Sequence, residues 1–126
     1  MNWYLKSSQK YFVEGVILGC FKDTEGAKKK YGFIVDEDFP GDPWIASVKT
    51  KDALGVELIN QLCEDYSEDP DKKGVPYYFI IRSVDGSEFV VFSDDCEWHS
   101  IDIEDEKKKA IEIGSKKGLE EKYLDF

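Results

Sequence analysis

The sequence predicts one α+β domain, spanning 1–126, built on a mainly antiparallel sheet of about five strands. Three observations carry that expectation. Short β-branched and aromatic runs occur in two groups, before residue 50 and after residue 76. Between the groups the apolar period changes from two to four, and an Asp-Gly pair separates the last two runs. A chain of 126 residues has room for one hydrophobic core but not for two independent ones.

The elements follow in order. Tyr11 to Phe21 reads Y-F-V-E-G-V-I-L-G-C-F, a strand composition weakened for helix by Gly15 and Gly19, and it runs into the turn-like Asp23-Thr24-Glu25-Gly26. A second strand is expected over Lys30 to Val35. A third, near Trp44 to Val48, follows Pro40-Gly41, a pair suited to the centre of a type II turn. The three together suggest a meander.

Leu54, Leu58, Leu62 and Tyr66 then recur every four residues with Ile59 and Cys63 beside them, which predicts an amphipathic helix over Lys51 to Tyr66 packed on the sheet. Gly55 is a liability in it, at about 1 kcal/mol relative to Ala. Tyr77 to Val84 and Glu88 to Phe92 flank Asp85-Gly86, the strongest short-range hairpin signal in the chain. Neighbouring apolar positions in Tyr77 to Ile81 predict a strand covered on both faces. A C-terminal helix is expected over about Glu106 to Ile113, broken at Gly114-Ser115.

Composition narrows the function classes. Eight Phe, seven Tyr and three Trp are far from the aromatic-poor make-up of disordered acidic chains, so the domain should fold. No apolar run approaches the roughly 20 residues that span a bilayer, and the first residues lack a secretory pattern. The expectation is a cytoplasmic protein with no membrane partner. Cys20, Cys63 and Cys96 are odd in number and form no Cys-x-x-Cys pair, which points to reduced thiols.

The net charge of −10 is segregated. Residues 31–71 hold eleven acids against two lysines, and residues 83–106 hold nine acids with no Lys or Arg, so these two stretches carry the negative field. Within them stand Asp36-Glu37-Asp38 with Asp42, Glu64-Asp65 with Glu68, Asp69 and Asp71, Asp94-Asp95 with Glu97, and Asp102 with Glu104-Asp105-Glu106. Clusters sharing a face would attract a basic partner and speed its capture about 10- to 1,000-fold at low salt. Aromatic residues are interleaved with them, and interfaces concentrate energy in such anchors.

The expected partner-binding residues are therefore Asp36, Glu37, Asp38, Phe39, Asp42, Trp44, Asp69, Asp71, Asp94, Asp95, Glu97 and Trp98. A place in the core is the competing reading for Trp98 and Tyr66, and solubility is the competing reading for the charge itself.

Catalytic and metal signatures are weak. Cys96 and His99, in Cys96-Glu97-Trp98-His99, supply two zinc ligands where a structural site takes four, and no third group presents itself to orient a Cys-His pair. Carboxylate pairs arise by chance among 27 acids. Phosphate-binding glycine loops are missing, and Lys28-Lys29-Lys30 and Lys107-Lys108-Lys109 read as solvated faces in a chain of pI about 4.6.

No metal, cofactor, catalytic residue or direct nucleic-acid contact is expected. The leading expectation is an acidic inhibitor of a basic enzyme, an immunity protein or antitoxin that fills the cationic groove of a nuclease toxin. The alternatives are a phage-type nucleic-acid mimic directed at a DNA-binding defence enzyme, an adaptor docking through an apolar surface, and an enzyme using carboxylates or Cys96 with His99.

Overall fold

The structure, a computed structural model, describes residues 9–17, 21–35, 47–66, 78–119 and 124. Strand β1 (Lys10–Glu14) turns Tyr11 and Val13 inward by the two-residue alternation of an extended chain. Gly15 then adopts φ +75°, a left-handed conformation open to glycine, and the chain leaves the first sheet. Strand β2 (Val16–Ile17) belongs to a second sheet. The single long strand expected from Tyr11 is thus two short ones broken at Gly15.

Helix α1 (Thr24–Tyr31) occupies the stretch read as a turn and the start of a strand. Asp23 is its N-cap, with Oδ1 accepting a 3.0 Å bond from the Gly26 amide. Glu25 in the first turn and Lys28 to Lys30 in the last complement the helix dipole, and Gly32 closes it at φ +68°. Lys30 and Tyr31 are therefore helical, and β3 (Phe33–Val35) begins only after the cap. Strand β4 (Ser47–Thr50) pairs antiparallel with both β2 and β3. The order of this sheet is β2-β4-β3, so β4 lies at its centre where a meander would have put the middle strand of the sequence.

Leu54–Gly55 forms a short strand, β5, beside β1, and α2 (Val56–Tyr66) starts immediately after it. The helix is shorter at its N-terminus than the apolar period implied because Leu54 pairs with Tyr11 across the sheet. Gly55 is consequently no helix liability. The buried stripe is Ile59, Leu62, Cys63 and Tyr66, while Leu58 is exposed.

Strands β6 (Tyr78–Ser83) and β7 (Glu88–Phe92) form the expected hairpin over Asp85-Gly86, with Gly86 at φ +98°. In β6, Phe79 and Ile81 are buried and Tyr78 and Ile80 half-buried. The strand sealed on both faces is its neighbour, where Val90, Val91 and Phe92 are all inaccessible. A further strand, β8 (Trp98–Ser100), which the sequence reading missed, completes the sheet order β5-β1-β6-β7-β8. Every pairing among the described residues is antiparallel.

The C-terminal helix α3 runs over Glu104–Lys116, longer at both ends than expected. It continues through Gly114, whose missing side chain lets the helix approach the sheet. A Cβ there would stand 2.5 Å from Leu124 Cδ2 and 3.2 Å from Phe92 Cζ. The fold class is as the sequence predicts, α+β, with α2 on one face of the five-stranded sheet and α3 on the other. Among the described residues no helix is long and apolar enough to cross a membrane.

Hydrogen bonds join these layers. The Ile17 amide donates to Tyr66 Oη at 2.9 Å, and the Val13 amide to Thr50 Oγ1 at 3.1 Å. Asp65 of α2 accepts from Lys30 Nζ at 3.2 Å, from Gln61 Nε2 at 3.2 Å and from the Tyr31 hydroxyl, tying α1 to α2. Burial acts to raise the Asp65 pKa, but these bonds and the lysine charge outweigh it and hold the carboxyl below its ordinary value.

Candidate functional site

The acidic turn between β7 and β8 is built by its own carboxylates. Asp94 Oδ1 accepts from the Asp95 amide at 2.9 Å, and Asp95 Oδ1 accepts from the Glu97 amide at 2.9 Å. These short side-chain-to-backbone bonds are what make Asp a turn residue. Cys96 sits at the apex with φ +53°, the one described non-glycine residue in the left-handed region, and its amide closes the turn on Phe92 O at 2.8 Å.

Lys117, just past α3, reaches across to Asp94 Oδ2 at 2.6 Å and Asp95 Oδ2 at 2.9 Å while lying 5.6 Å from the centre of the Phe92 ring. Burial favours a lower pKa for Lys117 and a higher one for Asp95. The mutual hydrogen bonds and charges win in both cases, raising the amine and lowering the carboxyl. Asp94 and Asp95 thus hold the turn to α3, and their charge is partly matched from within.

Of the other expected contact residues, Glu97 is exposed on the same turn. Trp98 is half-buried, its ring edge-on to Tyr11 at 4.9 Å and 5.8 Å from Phe89, so it packs on the sheet. Tyr66 is fully core. Asp36, Glu37, Asp38, Phe39, Asp42, Trp44, Asp69 and Asp71 lie outside the described residues.

The turn leans on α2. Cys96 Sγ donates to Asn60 Oδ1 at 3.3 Å, and one helical turn further along α2 stands the buried Cys63, a member of the core cluster against which Cys96 packs. Glu64 follows on the exposed side of the same helix. The interaction with Cys96, then burial, then the negative charges of Asp95 and Glu64 push the Cys63 thiol above its usual pKa. The Cys96 thiol is lowered by the neighbouring Cys63 and Trp98 side chains, against burial and the charges of Asp95 and Glu97. Acids from two sequence-distant clusters therefore converge around one pair of thiols, a juxtaposition that no local motif encodes.

Cys96 and His99 do not converge. Cys96 faces α2, whereas the His99 ring lies 5.7 Å from Phe92 on the α3 side of the sheet. His99 Nε2 is buried and has no hydrogen-bond partner among the described residues. In this arrangement Cys-x-x-His is neither a shared metal corner nor a nucleophile with its base. Among the described residues no group of three or more His, Cys, Asp or Glu side chains is gathered as a metal site. An open depression of about 570 Å³ lies between Phe21, α1 and Asp65, but its Lys30 and Asp65 already bond to each other.

The remaining acids divide in the same way. Asp102 accepts the Glu88 amide at 2.8 Å, while Glu104, Asp105 and Glu106 are exposed in the first turn of α3, where negative charge complements the dipole. Comparison with known proteins finds no family model, no curated protein and no solved structure that matches this chain.

Proposed function

We propose that this chain is a cytoplasmic acidic binding protein that inhibits a basic enzyme, in the manner of an immunity protein or antitoxin that fills the cationic groove of a nuclease-type toxin. One observation carries the reading: Glu64 of α2 and Asp95 and Glu97 of the β7–β8 turn, drawn from two separate acidic stretches, gather around the same pair of side chains. Fields from carboxylates sharing a face add, and a nuclease must be positive where it holds phosphate. Asp65, Asp94 and Asp95 are engaged by internal lysines, so the outward field of this face rests on Glu64 and Glu97.

The test is capture of the basic partner from the protein's own cells at low salt, followed by association kinetics with the wild type and with the double reversal Glu64→Lys/Glu97→Lys. Both side chains are exposed, so the fold should survive. Association about tenfold slower or more, with the difference shrinking as salt rises, is the expected outcome. Equal rates for the two proteins at low salt would remove this face from the interface.

A further inference from the structure

The contact between Cys63 and Cys96 is built with care at both ends. Cys63 belongs to the buried stripe of α2 and is 3% exposed. Cys96 packs against the same core cluster, is partly buried, and is drawn onto α2 by its bond to Asn60. Its left-handed backbone is a conformation that Gly, Asn or Asp adopts more readily, so the turn accepts a steric cost to put a sulfur at this point. Carboxylate caps from Asp94 and Asp95 and the Lys117 clamp hold that conformation in place.

The two sulfurs are also unequal. Cys63 is sealed and its thiol is pushed up, while Cys96 is the less buried of the two and its thiol is pushed down, giving it the greater thiolate character. Neither sulfur is joined in a disulfide in the structure. The surrounding Glu64, Asp95 and Glu97 repel anionic oxidants such as acidic disulfides but leave a small neutral one unopposed.

We propose that Cys63 and Cys96 are a redox modification site, closing to a reversible disulfide between α2 and the β7–β8 turn when the protein meets hydrogen peroxide. Cys96 sulfur attacks one peroxide oxygen. The O–O bond breaks, an S–O bond forms, and the departing hydroxide leaves as water with the Cys96 proton. Cys63 sulfur then attacks the Cys96 sulfenic acid, the S–S bond forms, the S–O bond breaks, and the second hydroxide leaves as water with the Cys63 proton. Two electrons pass from the sulfur pair to the peroxide, and an added dithiol returns them. The chemistry of this thiol pair is independent of the proposed partner.

The experiment treats the reduced full chain with hydrogen peroxide, blocks remaining thiols with N-ethylmaleimide and maps the peptides by mass spectrometry. The expected product is a dithiothreitol-sensitive peptide pair joining Cys63 to Cys96, absent from Cys96→Ser. In Cys63→Ser the reaction stops one step earlier, and dimedone labels Cys96. Before oxidation, iodoacetamide should alkylate Cys96 at least about tenfold faster than Cys63 in the native protein, a difference that vanishes in urea. A cross-link through Cys20, over-oxidation of Cys96 with Cys63 still open to alkylation, or Cys63 reacting first would each overturn the proposal.

Discussion

The two faces of the five-stranded sheet are covered by opposite means. On one, α2 sends Ile59, Leu62, Cys63 and Tyr66 into a cluster with Tyr11, Val13, Phe79, Ile81 and Val91. On the other, α3 comes close through its small residues Ala110 and Gly114, and Phe92 and Leu124 fill the space beside the glycine. The first face gains stability from bulk, and losing atoms should harm it. The second depends on closeness, and adding atoms should harm it.

The largest expected effect breaks the first face. Ile59→Ala removes a fully buried side chain and should cost about 2–5 kcal/mol in denaturant unfolding. A loss under about 1 kcal/mol would mean that the α2 face repacks freely.

Next comes the opposite operation on the opposite face. Gly114→Ala places a methyl against Leu124 and Phe92 and should cost about 1–3 kcal/mol, despite the higher helix propensity of Ala. The comparison sharpens in a double mutant. With Leu124→Ala present, Gly114→Ala should cost much less, because the obstructing side chain is gone, and a double-mutant cycle measures that coupling. Strict additivity would show that the glycine serves some purpose other than approach.

The smallest effect concerns the ion pairs that pin each helix. Asp65 on the α2 side and Asp95 on the α3 side both titrate below the ordinary carboxylate value of 3.8. Lowered folded pKa values contribute stability that is fully present above pH 3.8 and is lost as pH falls through the folded values. Lys117→Met should cost about 1 kcal/mol or less at neutral pH, because the Asp94 and Asp95 side chains are 41% and 40% exposed and solvent screens the pair. The variant should also lose less stability than the wild type between pH 5 and pH 3, read from unfolding curves at the two values. An unchanged acid slope would assign that stability to carboxylates other than Asp95, Asp65 and Asp85 among them.

The same contrast explains what could be read from the chain. The α2 face was legible because its stripe recurs every four residues, and the β6–β7 hairpin because Asp85-Gly86 names its own turn. Helix α1 was not, since it buries only Ala27 and Tyr31 and so carries almost no apolar period. Its signals were the Asp23 cap, the trailing lysines and Gly32, all of them at its ends. Strand β8 is three residues long and follows an acidic turn, too short to show alternation. For α3, the rule that glycine ends a helix failed at Gly114, where close packing outweighs propensity.

For the candidate site, the segregation of charge was legible but the division of labour within it was not. Asp94 and Asp95 are answered by Lys117, and Asp65 by Lys30, partners brought close only by the fold. The meeting of Cys63 with Cys96 is hidden for the same reason. Widely spaced cysteines become neighbours through sheet and helix packing, and no spacing rule announces them.

The break at Gly15 bears on how the two sheets come apart. On either side of it, the Val13 amide closes on a threonine of the smaller sheet and the Ile17 amide on a tyrosine of α2. Each proton is thus held by an oxygen from a different layer than the strand that carries it, so neither can be released by fraying at one edge. The left-handed residue that divides one strand into two thus stands between two amides bonded across layers, and these two should be among the slowest in the chain to exchange with solvent.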